Sequence, residues 1–384
     1  MTVPNVVIVG AGLSGAVLAR ELADRGIRCL VVDRKSHVAG NCYTRLDVDT
    51  GIMEHVYGAH VFNTDNETIW SYIQRFCTMG AFINRVKVDL PSGVYSFPIN
   101  LHTINQFFGL RLNPTEARAF LAAKGDSSIV EPKSFEEQAL RFVGPELYRA
   151  FFYGYTKKQW GCEPSQLPAS ILKRVPIRFN YDDRYYSGRF QGIPKEGYTV
   201  AVERILDHPH ISVKLDTTWE EAMRDEFDYI FYTGALDAFY GFRCGRLGYR
   251  TVYWNKISAS GDFQGNAVLN YPSIDVPHTR ICEHKHFTPW ESHERTIAFV
   301  EFSKETGPED IPYYPKRLAP DLETLTQYQA LARSEDNVFF LGRLATYRYL
   351  DMHVVIDEAL RLAQRFLQWR RGDVTERPVF ASEL

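Results

Sequence analysis

The chain predicts an α/β fold: a Rossmann-like, dinucleotide-binding domain that carries a helical insertion domain and an antiparallel β-sheet domain. Three patterns in the 384 residues predict it. A β-branched run ending in glycine opens the chain and leads through a helical stretch to a second apolar run. Capped helical segments fill the middle, from about residue 100 to 160. Short alternating runs separated by Gly, Pro and Asp occupy about residues 177–302, before the chain returns to its first pattern.

NVVIVG (Asn5 to Gly10) is short, β-branched and closed by glycine, as buried parallel strands are. LSGAVLARELADRG then has helical spacing and stops at Gly26, and RCLVVD (Arg28 to Asp33) is a second buried strand, so the three form a βαβ unit. NPTE (Asn113 to Glu116) offers an Asn cap and a Pro in the first turn, while SFEE (Ser134 to Glu137) is a capping box before QALRFV. ISVKL, YIFYTG, RTVYWN, NAVLNY and TIAFVEF read together as a mostly antiparallel sheet. NVFFLGR (Asn337 to Arg343) is another buried strand, and the amphipathic VVIDEALRLAQRFLQW after it returns the chain to the first domain. The division this implies is 1–80 and 319–384 for the dinucleotide domain, 81–176 for a helical substrate domain, and 177–318 for the sheet domain, partly interleaved with the first.

With 44 Lys and Arg against 47 Asp and Glu, the net charge of −3 gives no electrostatic reason to expect nucleic acid or an anionic membrane. An anionic ligand must therefore be met locally. Six scattered cysteines, none in a CxxC pair, suit neither a disulfide framework nor a zinc site and point to a reducing cytoplasm. The longest apolar run near the N-terminus is broken by three glycines and followed by Arg20, which fits neither a signal peptide nor a membrane span.

Gly10, Gly12 and Gly15 in GAGLSG sit between strand and helix, where backbone amides at a helix N-terminus can face a pyrophosphate. Asp33, 18 residues beyond Gly15, ends the second strand where a carboxylate can bind ribose hydroxyls. These glycines alone do not separate FAD from NAD. The polar, Gly-containing DRKSHVAGNCYT after the acidic residue favours a flavoprotein, and no second GxGxxG follows a strand to build a nicotinamide domain.

Beyond these signals, VGAGLSGAVLAREL, AGNCYT, HVYGAHVFNTDNETIW, PINLHTINQFF, FEEQALRFVGPELYRAFFYGYTKKQWG, LPASILKRVPIRFNYDD, VPHTRICEHKHF, IPYYP and GRLATYRYLDMHVVI closely resemble the bacterial UDP-galactopyranose mutases. The likeness runs from about Val6 to Phe366. It implies an isomerase that interconverts UDP-galactopyranose and UDP-galactofuranose on reduced FAD, whose N5 acts as a covalent catalyst, in support of a surface polysaccharide. It implies a homodimer and an external reductant for FAD. A related N-acetylated or 6-deoxy nucleotide sugar stays open as the substrate, and a flavin oxidoreductase of the amine-oxidase type stays open as the class.

The resemblance also assigns residues. Arg174 and Arg280 match a pair of arginines that grip the diphosphate, and Tyr155, Tyr185, Tyr314 and Tyr349 supply hydroxyls around it. Phe151, Phe152 and Tyr155 would stack uracil, with Asn84 or Asn270 as polar contacts and Trp160 against the sugar. Residues 177–192 would be a mobile loop over the site. For the cofactor the matched positions are Gly10, Gly12, Leu13, Ser14, Gly15, Asp33, Arg34, Gly40, Asn41, His60, Val61, Gly342, Arg343, Tyr349, Asp351 and Met352. His60 would approach the flavin, Arg343 would stabilise its reduced anion, and Asp351 would bind a sugar hydroxyl or order Arg343. Three positions depart from the family's pattern: Asn63 stands where many members have a histidine, Ala39 where a glycine is usual, and His353 where an acid is usual. Asn63 cannot change charge near neutral pH, and its smaller side chain could leave room beside the sugar.

Overall fold

The computed structural model describes residues 5–174 and 176–382, with the side chains of Lys173 and Arg174 outside that description. Strand β1 (Asn5–Val9), helix α1 (Leu13–Ala23) and strand β2 (Arg28–Val32) form the opening βαβ unit. They belong to a five-stranded parallel sheet in the order Ile211–Lys214, β2, β1, Tyr229–Tyr232, Val338–Phe340. Helix α1 packs under it against Gly197–Leu206 and Met352–Arg371, and Val6, Val7 and Ile8 are completely buried. Burial on both faces explains why these strands are continuous apolar runs rather than alternating ones.

Two of the runs expected in the antiparallel sheet therefore belong elsewhere. ISVKL and YIFYTG supply the edge strand Ile211–Lys214 and the inner strand Tyr229–Tyr232 of the parallel sheet. The second is buried over three consecutive residues, which marks a strand covered on both sides. The first owes its alternation to lying at a sheet edge, where side chains remain wet.

A seven-stranded sheet runs Tyr314–Pro315, Tyr249–Ser260, Arg295–Glu305, Arg280–Glu283, Val268–Asn270, Val86–Leu90, Gly93–Phe97. It is antiparallel except where Leu269 pairs with Lys87. Its last two strands lie inside the span expected to be helical. Val86–Leu90 alternates buried and half-buried residues, and a turn at Pro91 and Ser92 returns the chain as Gly93–Phe97, so this stretch forms a hairpin.

Within the span expected to be helical, the helices begin at Leu101. Ser134 forms with Glu137 the capping box read from the sequence at the start of Phe135–Leu147, and Asn113, read as a cap, forms a capping box with Glu116 at the start of Pro114–Lys124. A π-helical stretch, Tyr148–Tyr153, leads into Gly154–Trp160. A small third sheet joins Phe62–Thr64, Phe190–Pro194 and Met79–Ala81. The end of the expected loop at 177–192 is thus the central strand of this sheet, and its irregular part is seated by Arg178 N–H on Ile99 O (2.9 Å) and Tyr185 N–H on Asn84 O (2.8 Å).

Candidate active site

The glycine loop makes a cradle from backbone alone. A Cβ on Gly10, whose φ is +113°, would lie 1.9 Å from Thr233 Oγ1, and one on Gly15 would lie 1.9 Å from Gly10 O. Gly342 closes the cradle from the far end of the chain: a Cβ there would meet Ser14 Oγ at 2.6 Å. Gly12 starts α1 without a side-chain cap, so the amides of Leu13, Ser14 and Gly15 belong to a first turn open to a pyrophosphate. Asp33 takes Ala11 N–H on one oxygen (2.8 Å) and Lys35 N–H on the other (2.9 Å), and each oxygen keeps a lone pair for a ribose hydroxyl. Arg34 beside it is exposed, while Lys35 fixes Asn41 through its Oδ1 at 2.8 Å. The residues fit a dinucleotide. Gly40 lies against Gly12, and Ala39 before it holds φ at 71°, the left-handed conformation for which glycine is better suited.

Beyond the cradle, where the parallel sheet meets the seven-stranded sheet, opens a cleft of about 1020 Å³. Asn41, His60, Val61, Arg343, Tyr349, Asp351 and Met352 line it from the cofactor side. Asn84, Tyr155, Trp160, Tyr185, Asn270, Arg280 and Tyr314, the residues expected to meet a substrate, also line it. Arg280 and Glu301 are cross-strand neighbours, and Arg280 Nη2 lies 2.7 Å from the buried Glu301 carboxylate. Burial is the largest single influence and opposes the guanidinium's charge, yet Glu301, together with Tyr155, Cys282 and Tyr314, holds Arg280 well above its usual pKa. Its Nε is buried without a partner among the described residues, a donor aimed at nothing the protein supplies. Burial pushes the Tyr155 and Tyr314 phenols up, so both stay neutral donors, and Tyr314 packs between Trp160 and Tyr349. Arg343 stands 4.6 Å over the Tyr349 ring and donates to Leu350 O at 2.7 Å.

His60 Nδ1 lies 2.7 Å from Gly58 O and so carries the proton, which leaves Nε2 as an acceptor. Burial first, then Arg343, push its pKa down to about 4. Behind it, His60 N–H donates to His55 Nδ1 (3.4 Å) and His55 N–H to His284 Nδ1 (3.1 Å). Both rings are buried, and burial pushes both of their pKa values down.

Residues 150–349 match the family model described as UDP-galactopyranose mutase, and residues 8–76 match that of an NAD(P)-binding Rossmann-like domain. A probable UDP-galactopyranose mutase of Klebsiella pneumoniae is 55% identical, over 98% of both chains. The chain belongs to the UDP-galactopyranose mutase family. A dTDP-fucopyranose mutase of Escherichia coli is 48% identical over 95% of this chain and 98% of its own. The structure of a reduced UDP-galactopyranose mutase matches 98% of this chain and 96% of its own with a TM-score of 0.78 at 15% identity, and a putrescine oxidase shares the fold more loosely, at 0.58 and 12%. The dinucleotide-binding domain and the family to which the chain belongs are consistent with FAD as the cofactor. No described helix is long and apolar enough to cross a membrane.

Two of the residues assigned to this mutase site stand differently from expectation. Phe151 and Phe152 are in the core: the rings of Tyr95 and Phe107 meet the first, and those of Phe97 and Phe135 the second. Their faces are used in packing, so Tyr155 alone of the three reaches the cleft. The Arg174 side chain lies outside the described residues. Asn63 lines the cleft, but its Oδ1 accepts Gly188 N–H at 3.1 Å, so its amide ties the irregular segment to the small sheet. The sequence reading missed Glu301, Tyr186, Arg317 and Arg348, which also line the mutase cleft, and His55 and His284 behind it. Only the HVYGAH spacing carried a hint of His55, and none pointed to His284.

Proposed function

We propose that this mutase interconverts UDP-galactopyranose and UDP-galactofuranose, a change of ring size without net oxidation. One observation carries the reading: Arg280, held charged by Glu301, and the neutral phenols of Tyr155 and Tyr314 face the same cleft as His60 and Arg343. Reduced FAD, when bound, supplies an electron-rich ring nitrogen that can hold the sugar while its bond to the diphosphate is broken and remade. Arg280 takes the charge that develops on the departing diphosphate, and its geometry is set in advance by Glu301. Tyr155, Tyr185, Tyr314 and Tyr349 add hydroxyl donors without adding charge. Arg174 is the second cation of the clamp. Tyr155 also offers uracil a face, with Asn84 and Asn270 as polar contacts, and Trp160 flanks the sugar. His60, neutral near pH 7, offers an acceptor at Nε2, while Arg343 favours the reduced cofactor and Asp351 orders Arg343 or a sugar hydroxyl.

The cofactor domain comprises residues 1–80 and 319–384, joined by the strands Ile211–Lys214 and Tyr229–Tyr232. The segment 177–188 serves as the lid. The protein works as a homodimer in the cytoplasm, where its six unpaired thiols stay reduced and an external reductant keeps FAD active. One observation favours a second substrate: the relative named a dTDP-fucopyranose mutase is nearly as similar as the one named for UDP-galactopyranose, at 48% against 55%.

Incubation with UDP-galactofuranose, with and without dithionite, tests the proposal. Reductant-dependent formation of UDP-galactopyranose supports it. A protein that reduces normally yet converts only the dTDP-fucose pair, offered in competition, establishes the second reading. Full turnover with oxidised flavin would contradict both.

A further inference from the structure

Five cationic side chains of described residues line the cleft: Arg280, Lys316, Arg317, Arg343 and Arg348. Three are matched by carboxylates, Arg280 by Glu301 (2.7 Å), Lys316 by Glu305 (3.0 Å) and Arg348 by Glu358 (2.7 Å). Arg343 stands over Tyr349 on the cofactor side. Arg317 is different. Its Nη1 donates to Tyr347 O at 2.6 Å and its backbone N–H to Tyr347 Oη at 3.3 Å, and among the described residues no carboxylate oxygen lies within 4.0 Å of it.

The backbone sharpens the contrast. Arg317 holds φ at 55° and its partner Tyr347 holds φ at 48°, so two side-chain-bearing residues in contact both occupy the left-handed region. Each costs on the order of 1 kcal/mol there, and a glycine at 317 would make the turn without strain. Turn geometry alone does not account for the arginine. A half-buried guanidinium whose one described hydrogen bond is to Tyr347 O keeps most of its five N–H donors for something else. Burial, and Arg348 nearby, work against its charge, a cost that an incoming anion would relieve.

We propose that Arg317 is a further anion-binding residue of this cleft, contacting a phosphate oxygen of the nucleoside diphosphate or of the dinucleotide cofactor. Tyr347 O fixes one arm of the guanidinium, Arg317 lines the cleft, and planar N–H pairs suit phosphate oxygens better than any neutral acceptor. This inference rests on the nucleotide-sugar reading.

The test is calorimetric titration of the FAD-loaded protein with UDP and with uridine, at low and high salt, in wild type, Arg317→Gln, Arg317→Lys and Arg280→Ala. Flavin retention and the unfolding midpoint are measured alongside. Glutamine can still donate to Tyr347 O, so it removes charge while keeping the strut. The expected result is a roughly tenfold or greater loss of UDP affinity in Arg317→Gln, a flatter salt dependence, unchanged uridine binding, and partial recovery in Arg317→Lys. If UDP binding is intact but flavin retention falls about as far, the phosphate is the cofactor's, and the proposal stands with that source. Unchanged UDP affinity and flavin retention overturn it. So does an equal loss for UDP and uridine together with a lower midpoint, which would make Arg317 only a support for Tyr347. A wild-type protein that keeps its flavin but binds no UDP overturns the nucleotide-sugar reading itself. UDP binding lost in Arg280→Ala and intact in Arg317→Gln, with flavin retained, overturns only the role of Arg317.

Discussion

The cradle at one end of the site and the cleft at the other are built on opposite principles. The cradle is backbone: Gly10, Gly15 and Gly342 bring three chain segments together by having no side chain, and they work by shape. The cleft is side chains: Arg280, Glu301, Tyr155 and Tyr314 arrive from separate strands and helices and work by charge and hydrogen bonding. The cradle should therefore be sensitive to added volume and insensitive to salt or pH. The cleft should show the reverse.

Removing Arg280 tests that division most severely. Arg280→Ala leaves Glu301 buried and unpaired, at a cost of about 3 kcal/mol in stability, together with a turnover loss of about 100-fold or more. Urea unfolding and the furanose assay read the two, and Arg280→Ala with wild-type stability would show that Glu301 does not depend on its partner. Next in size is the pH response of His60. Its folded pKa of about 4 lies below the usual 6.5, so the stability it contributes is full above pH 6.5 and is lost as pH falls toward 4, when the unfolded chain takes up the proton first. That loss amounts to about 3 kcal/mol, and His60→Gln should remove much of it, which unfolding midpoints at pH 7 and 4.5 would reveal.

In the cradle, Gly342→Ala sets a Cβ 2.6 Å from Ser14 Oγ at a φ of +85°. A cost of about 2 kcal/mol and weakened flavin retention are expected, unchanged between low and high salt. A strong salt dependence would break the comparison. The smallest effect, and the only gain, should come from Ala39→Gly: relieving φ at 71° stabilises by about 0.5–1 kcal/mol, read as a higher unfolding midpoint.

What could be read from the sequence follows from how far apart the interacting residues are. β1, α1, β2, the glycine turn, the Asn113 cap and the Ser134 capping box depend on contacts within a few residues or one βαβ unit, and these stand in the structure as read. The resemblance carried His60, Arg280, Tyr155, Tyr314 and Arg343 to one place, and the fold assembles them there. Other positions had no local signal. ISVKL and YIFYTG look alike to a pattern that counts alternation, and only their partners, Cys29 to Val32 on one side and Val6 to Val9 on the other, put them in the parallel sheet. Phe151 and Phe152 sit beside Tyr155 in sequence, but the π-helical turn and the rings of Phe97, Phe107 and Phe135 draw them into the core.

The amino-acid sequence alone thus determined the nucleotide-binding unit and the helical caps, because each is written in neighbouring residues, while its resemblance to a family supplied the kind of chemistry to expect. Tertiary structure alone decided which cations are matched and which are not. Glu301 reaches Arg280 across two strands, Gly188 reaches Asn63 from 125 positions away, and Arg317 leans on Tyr347 with no acid beside it among the described residues. Charge pairing and desolvation depend on distance in space, and distance in space is set only when the whole chain has packed.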